Sequence, residues 1–217
     1  MIEKEINLEV KKGENIFDVE LSIFNQNLDQ VVISGTRTVK KILDSPIIVD
    51  IINSQKLENL QACYLAEGLN FQSGLRIETD CQTCNYTQLR INGLDGGYSQ
   101  ILINGKAIFS PLAGLYGLEQ IPSNMIDRIE IVKGGGSSLY GSSAIAGTVN
   151  IITKNPTKNS YQFGYNISAI NIESNDMNFQ ANSSVVSENM NSGITFFINQ
   201  RTRTTYDHNN DNFSEIP

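Results

Sequence analysis

Period-two alternation dominates the end of the chain. Tyr161, Phe163, Tyr165, Ile167 and Ala169 alternate with Gln162, Gly164, Asn166 and Ser168, and Met177, Phe179 and Ala181 then alternate with Asn178, Gln180 and Asn182. A third run sets Ile194, Phe196 and Ile198 against Thr195, Asn199 and Arg201, with Val186 and Phe197 out of step. Residues 171–176 and 188–192 are polar and read as turns. Successive side chains of a strand point to opposite faces. The pattern therefore predicts three strands, each with one apolar face and one face of Asn, Gln, Ser and Thr. The runs approach the roughly 9–11 residues with which a tilted strand crosses a bilayer. A soluble β-sandwich also alternates, but with shorter strands and turns every ~8–12 residues, so the longer runs favour a membrane barrel. There is no Trp, which leaves any aromatic girdle to Tyr and Phe.

The front of the chain carries another hairpin pattern: Ile6, Leu8 and Val10, a turn at 11–15, then Phe17, Val19, Leu21 and Ile23. An isolated hairpin is marginal in water, so this piece is an edge of the next domain or, as favoured here, the tail of a preceding one. After a polar link comes Val31-Val32-Ile33-Ser34-Gly35-Thr36-Arg37-Thr38. It reads as one more strand, or as a short extended segment offered to a partner's sheet edge.

From 42 to 154 the pattern is mixed. Residues 47–52 read as a strand, 54–65 as a helix capped by Ser54, and 75–79, 87–92 and 100–104 as short strands. Pro122 starts a helical turn over 122–127, followed by a strand at 128–133, the glycines Gly134, Gly135 and Gly136, and a last strand at 147–153. This makes a small mixed α/β domain of ordinary size. Cys63 lies in an apolar helical stretch and reads as a buried core residue.

Composition narrows the function. Of 217 residues, 40% are apolar, enough for a packed core. The net charge of -7, without a Lys or Arg block, argues against nucleic acid as a partner. No apolar run approaches the ~20 residues of a membrane-spanning helix, and the stretch from Met1 to Ile6 lacks the pattern of a secretory signal. Loss of sequence at the front end would remove such a signal. Cys81 and Cys84 have the spacing of a disulfide, a redox pair or half a zinc site. The other cysteine, Cys63, and the single histidine, His208, do not complete a zinc site, and the pair sits between strands rather than opening a helix. A disulfide pinning an exposed loop is favoured over two free thiols. The glycines at 134–147 lack the Lys-Ser/Thr of a phosphate loop, no nucleophile elbow is present, and Asp127 with Glu130 reads as a solvated helix end and strand. The chain is not expected to be an enzyme, nor to hold a cofactor or metal.

Several of these stretches carry a family resemblance. They are Gln100-Ile-Leu-Ile-Asn-Gly-Lys106, Leu118-Glu-Gln-Ile-Pro122, Met125-Ile-Asp-Arg-Ile-Glu-Ile-Val-Lys-Gly134 and Ser138-Leu-Tyr-Gly-Ser-Ser-Ala-Ile-Ala-Gly-Thr-Val-Asn-Ile-Ile-Thr153. Together, and in this order, they closely resemble the plug domain of TonB-dependent outer-membrane receptors. The front hairpin resembles the end of the small β-sandwich that many Bacteroidetes-type receptors carry ahead of the plug, and the cysteine-bearing loop followed by Gln88-Leu-Arg-Ile-Asn-Gly93 resembles Bacteroidetes haem or cobalamin receptors. The resemblance implies a mixed α/β plug domain, a small mixed sheet with short helices, followed by the first antiparallel strands of an incomplete transmembrane β-barrel. In that family the plug sits inside a barrel of about 22 strands. The implied domains are 1–28, the end of a preceding small β-sandwich of carboxypeptidase-regulatory type; 29–41, a TonB-box-like segment and linker; 42–154, the plug; and 155–217, the first barrel strands.

The resemblance also implies roles. Val31, Val32, Ile33, Ser34, Gly35 and Thr36 stand where the TonB box would be. Arg128, Glu130 and Lys133 stand where the plug locks to the barrel wall, with Lys133-Gly134-Gly135 in place of the more usual Arg-Gly-Pro, which keeps a charge but loses the bidentate fork. Two loops would face the ligand. One carries Thr83, Asn85 and Tyr86 and is stiffened if Cys81 and Cys84 pair; the other carries Phe109, Pro111, Leu112, Leu115 and Tyr116. The apolar, aromatic character of the second suits a large flat ligand, although the same side chains would serve equally to pack against the barrel wall. The implied function is active uptake of a scarce large ligand, haem or cobalamin before a ferric siderophore, across the outer membrane of a Gram-negative cell. The implied partners are TonB with its inner-membrane energising complex, outer-membrane lipid, the ligand and a surface lipoprotein. The competing expectation is a soluble or surface-exposed binding module with a β-sandwich tail and no transport role. Expressed by itself, the 217-residue chain is expected to aggregate through the unpaired edge of its last strand, whereas residues up to 154 fold alone; light scattering of the two expression products checks this.

Overall fold

The computed structural model describes residues 12, 31–81, 86–108, 118, 120–170, 174–211 and 214. The expected hairpin within 1–28 lies outside the described residues, Lys12 apart. The first elements are β1 (Val31–Val32), β2 (Lys40–Lys41), β3 (Val49–Asn53), α1 (Ser54–Asn59) and α2 (Leu65–Asn70). A hairpin of β4 (Leu75–Cys81) and β5 (Tyr86–Ile91) follows, then β6 (Ser99–Ile103) and β7 (Lys106–Ala107). This mixed region closes with β8 (Ile126–Lys133), α3 (Ser137–Tyr140) and β9 (Gly147–Thr153).

A five-stranded sheet in the order β3-β8-β9-β6-β7 organises this region. Only β6 and β9 pair in parallel within it. Both of its faces are covered, and strands buried on both faces read as near-continuous apolar runs; residues 129–132 and 147–152 are buried without a break. One face holds the main core: Ile52, Ile129, Ile131, Val149 and Ile151 pack with Leu57, Leu65 and Leu69 of the helices and Leu89 and Ile91 of β5. The other face carries a small cluster of Val32, Val49 and Val132, beside the polar residues Glu130, Thr148 and Asn150.

The expected helix over 54–65 is two helices. Leu60 caps the first, Gln61 adopts φ +53, and Ala62 N and Gln61 N donate to Leu57 O and Glu58 O. This is the paired bonding of a Schellman stop, with Gln61 at the position where a glycine would have announced the stop. Ser54 is the first helical residue rather than the cap: the Asn53 side chain accepts from Lys56 N. Cys63 falls in the resulting break and is half-buried rather than a core residue.

The last strands, β10 (Ser160–Ile170), β11 (Ser174–Val186) and β12 (Gly193–Arg203), form an antiparallel sheet of their own. Register places Phe163 opposite Ala181, Tyr165 opposite Phe179 and Ile167 opposite Met177. These outward apolar side chains are exposed, Phe163 by 74% and Ile198 by 60%, while Asn178, Asn182 and Ser184 of the polar face are buried. Phe197, out of step in the sequence, is half-buried and lines the polar side with Thr195 and Asn182.

Gly147 starts β9 at φ +154, where a Cβ would run into Val132 O. Gly147→Ala is expected to weaken the β8–β9 pairing and lower the unfolding free energy of this domain by roughly 1–3 kcal/mol, the usual cost of such strain, measured by denaturant titration of the protein.

Candidate functional site

The segment 31–36 lies across the second face of the sheet. Its first two residues pair with β2, Val31 against Lys41 and Val32 against Lys40. Val32 is buried among Val49 and Val132. Beyond it the chain turns over Glu130, a carboxylate with 0% exposure. Ile33 N and Ser34 N donate to Glu130 Oε2 at 2.8 and 2.9 Å, and Ser34 Oγ donates to the same oxygen at 2.7 Å. Glu130 Oε1 accepts from Arg128 Nε at 3.0 Å, and Arg128 Nη1 also reaches Asp127 Oδ2. A buried charge is tolerated when it is paired and its lone pairs are satisfied, and both conditions hold for Glu130. The expectation of a solvated carboxylate pair is therefore corrected: Asp127 is half-exposed, but Glu130 is an interior acceptor.

Two further side chains hold Ser34. Asn150 Nδ2 donates to Ser34 Oγ at 3.0 Å, while Asn150 Oδ1 accepts from Gly105 N in the β6–β7 turn at 2.9 Å. Tyr140 of α3 donates to Ser34 O at 3.1 Å, and the Arg37 guanidinium lies 5.0 Å from the Tyr140 ring centre. Burial raises the Tyr140 hydroxyl above the ordinary tyrosine pKa, and the nearby Arg37 opposes that shift.

Of the residues expected to lock plug to barrel, Arg128 and Glu130 are brought together and Lys133 pairs with Asp50 of β3 at 2.7 Å. These partners all lie within the plug. The contacts from plug to strands come from other residues. Arg201 of β12 donates through Nε to Asp176 Oδ1 at 2.8 Å, approaches Glu67 Oε1 at 3.8 Å, and stacks over the Tyr64 ring at 4.9 Å. Around it Gln180 Nε2 donates to Cys63 O, Asn166 Nδ2 to Cys63 Sγ, and Asn124 Nδ2 to Ala181 O. Burial raises the Tyr64 pKa as well, opposed by Asn199 and Arg201. Arg201 and its partners were not singled out from sequence; the one available signal was an Arg on the polar face of a strand otherwise lined by amides and hydroxyls. Thr83, Asn85, Phe109, Pro111, Leu112, Leu115, Tyr116 and Cys84 lie outside the described residues, and Cys81 and Tyr86 are placed only as the paired ends of β4 and β5. Among the described residues no group of three His, Cys, Asp or Glu could hold a metal ion.

Residues 41–148 match the family described as TonB-dependent Receptor Plug Domain. The chain belongs to the TonB-dependent receptors. It is 34% identical over 144 residues to the vitamin B12 transporter BtuB of Vibrio cholerae, an alignment covering 66% of this chain and 23% of the relative. It is 30% identical over 133 residues to an iron-regulated outer membrane virulence protein of the same species, covering 58% and 20%. The chain thus spans about a quarter or less of the length of these curated relatives. Among solved structures, the unliganded ferric citrate transporter FecA superposes with a TM-score of 0.65 at 19% identity, covering 76% of this chain and 26% of that one. The siderophore receptor PirA from Acinetobacter baumannii superposes with a TM-score of 0.60 at 24% identity, covering 73% and 25%. At these identities the likeness establishes the fold, a mixed plug leading into antiparallel strands, as the motifs implied.

Arg201→Ala removes the ion pair and the ring contact together. It is expected to raise amide hydrogen exchange across residues 63–69 severalfold while β8 and β9 keep their protection, and Arg201→Lys, which lacks the planar fork, is expected to restore only part of the difference.

Proposed function

We propose that this chain is the plug and opening barrel strands of a transporter that takes up a scarce large ligand across the outer membrane of a Gram-negative bacterium. The observation that carries the reading is the inverted strand sheet: its amides face the plug and its aromatic and aliphatic side chains face outward. A sheet in water does the reverse, and a β-sandwich tail would cover that apolar face with a second sheet. The domain assignment of 1–28, 29–41, 42–154 and 155–217 belongs to this proposal, as do the Bacteroidetes-type subclass and a surface lipoprotein as partner.

Residues 31–36 are proposed as the segment that TonB engages. Val31, Val32 and Ile33 are strand-formers, and an extended segment of this kind pairs with a sheet edge chiefly through its backbone. For the ligand, cobalamin or haem is favoured over a ferric siderophore. The apolar residues Phe109, Leu112, Leu115 and Tyr116 suit a large flat molecule, and the first of the relatives above is named a vitamin B12 transporter. Arg128 and Lys133 keep their proposed role at the barrel wall, whereas Glu130, sealed beneath residues 33 and 34, is not proposed to reach it.

Titration of the complete receptor with cyanocobalamin, haem and a ferric siderophore, read by tryptophan-independent absorbance or calorimetry, is expected to give saturable binding of the first or the second, weakened by Tyr116→Ala. Binding of none of them, with uptake of a glycan instead, overturns the ligand assignment.

A further inference from the structure

The docked segment cannot pair with another chain in the state described. Val32 and Ser34 have almost no exposed surface, at 1% and 0%. The amides of Ile33 and Ser34, which a pairing strand would need, both donate to Glu130 Oε2. The Ser34 carbonyl already accepts from Tyr140, and its hydroxyl bridges Glu130 and Asn150. Whatever uses this segment must first undo these bonds.

We propose that Glu130, Ser34 and Asn150 form a buried polar latch that sets whether residues 31–36 are docked on the plug or free for a partner. Three features support a latch rather than ordinary packing. First, the apolar contribution is small: among the described residues, this face buries Val32, Val49 and Val132, with Ile42 and Ile51 partly buried against them, so the hold is mainly polar. Second, the bonds converge on one charged oxygen, and hydrogen bonds to an ionised acceptor are roughly twice as strong as neutral ones. Such an arrangement is firm while intact and fails together, because losing the acceptor strands three donors at once and losing one donor leaves a buried carboxylate under-satisfied. Third, Glu130 and Asn150 face each other directly across β8 and β9. The segment is therefore held by the rigid middle of the sheet and not by a loop. Asn150 is in turn held by Gly105 N at the turn between β6 and β7, which ties the latch to the strand leading toward residue 109.

The functional use of the latch rests on reading 31–36 as the partner-facing segment; its existence does not. The test is hydrogen exchange with mass spectrometry on the complete receptor in outer-membrane vesicles, comparing wild type, Ser34→Ala and Glu130→Gln. Both variants are expected to speed exchange of the 31–36 peptide about tenfold or more, the scale of losing bonds to a charged acceptor, with β8 and β9 peptides unchanged. Trypsin cleavage after Arg37, which stacks on Tyr140, should accelerate in parallel. Ser34→Ala changes no residue of the sheet and no backbone bond within it, and decides the matter if Glu130→Gln loosens β8 itself. Unchanged exchange at 31–36 in Ser34→Ala overturns the latch. A second arm measures binding of the periplasmic domain of TonB to the same vesicles: tighter binding in the variants supports both readings. Faster exchange without tighter binding leaves the latch standing and removes TonB as the user of the segment.

Discussion

A carboxylate with no exposed surface stands in the middle of the plug sheet, and the elements on that side of the sheet are arranged to satisfy it. Glu130 is flanked along β8 by Ile129 and Ile131, which point into the apolar core. Its own side chain must therefore find every partner on the opposite face. Arg128 takes one oxygen from the same strand, and the turn after β1 supplies three donors to the other. Leaving an ionised group of this kind unpaired costs several kcal/mol, so the position of residues 33 and 34 is dictated by charge more than by shape. The placement of α3 follows, since Tyr140 closes over the carbonyl that this turn exposes.

The two sheets obey opposite rules because they face different surroundings. In the plug, apolar residues turn inward and the helices α1 and α2 close over them. In β10, β11 and β12 the apolar residues turn outward and the polar ones meet the plug. The junction is therefore made of amides, hydroxyls, the Arg201–Asp176 pair and the Tyr64 ring. Such a junction separates more readily than a core. Exposing apolar surface costs about 25 cal/mol per Å², whereas polar groups exchange their partners for water at little net cost. Polar contacts of this kind hold the three strands against the mixed domain while leaving the junction able to shift.

Much of the fold was legible in the residues. Alternation marked β10, β11 and β12 and the orientation of their faces, because a period of two leaves little freedom once one side is apolar. The strand at 147–153 was delimited to the residue, and the polar breaks of the barrel strands were placed within a few residues. The helix over 54–65 was not, because its stop is written in hydrogen bonds to Leu57 and Glu58 with Gln61 in a left-handed conformation, and glutamine carries no turn signature. Cys63 was misplaced for the same reason: a broken helix turned a core position into part of the junction.

Sequence by itself determined the family, the mixed plug and the two-faced strands, all of which rest on local periodicity and ordered motifs that need no third dimension. Tertiary structure decided where the charges go. Glu130 lies 96 residues from Ser34 and Asn150 lies 116 from it, and nothing local links them. Read along the chain, Glu130 was a polar residue in a strand next to Asp127, and solvation was the economical account. Burial reversed that account, because a carboxylate sealed from water recruits whichever donors the fold brings near, and here three of those donors belong to residues 33 and 34, far away along the chain.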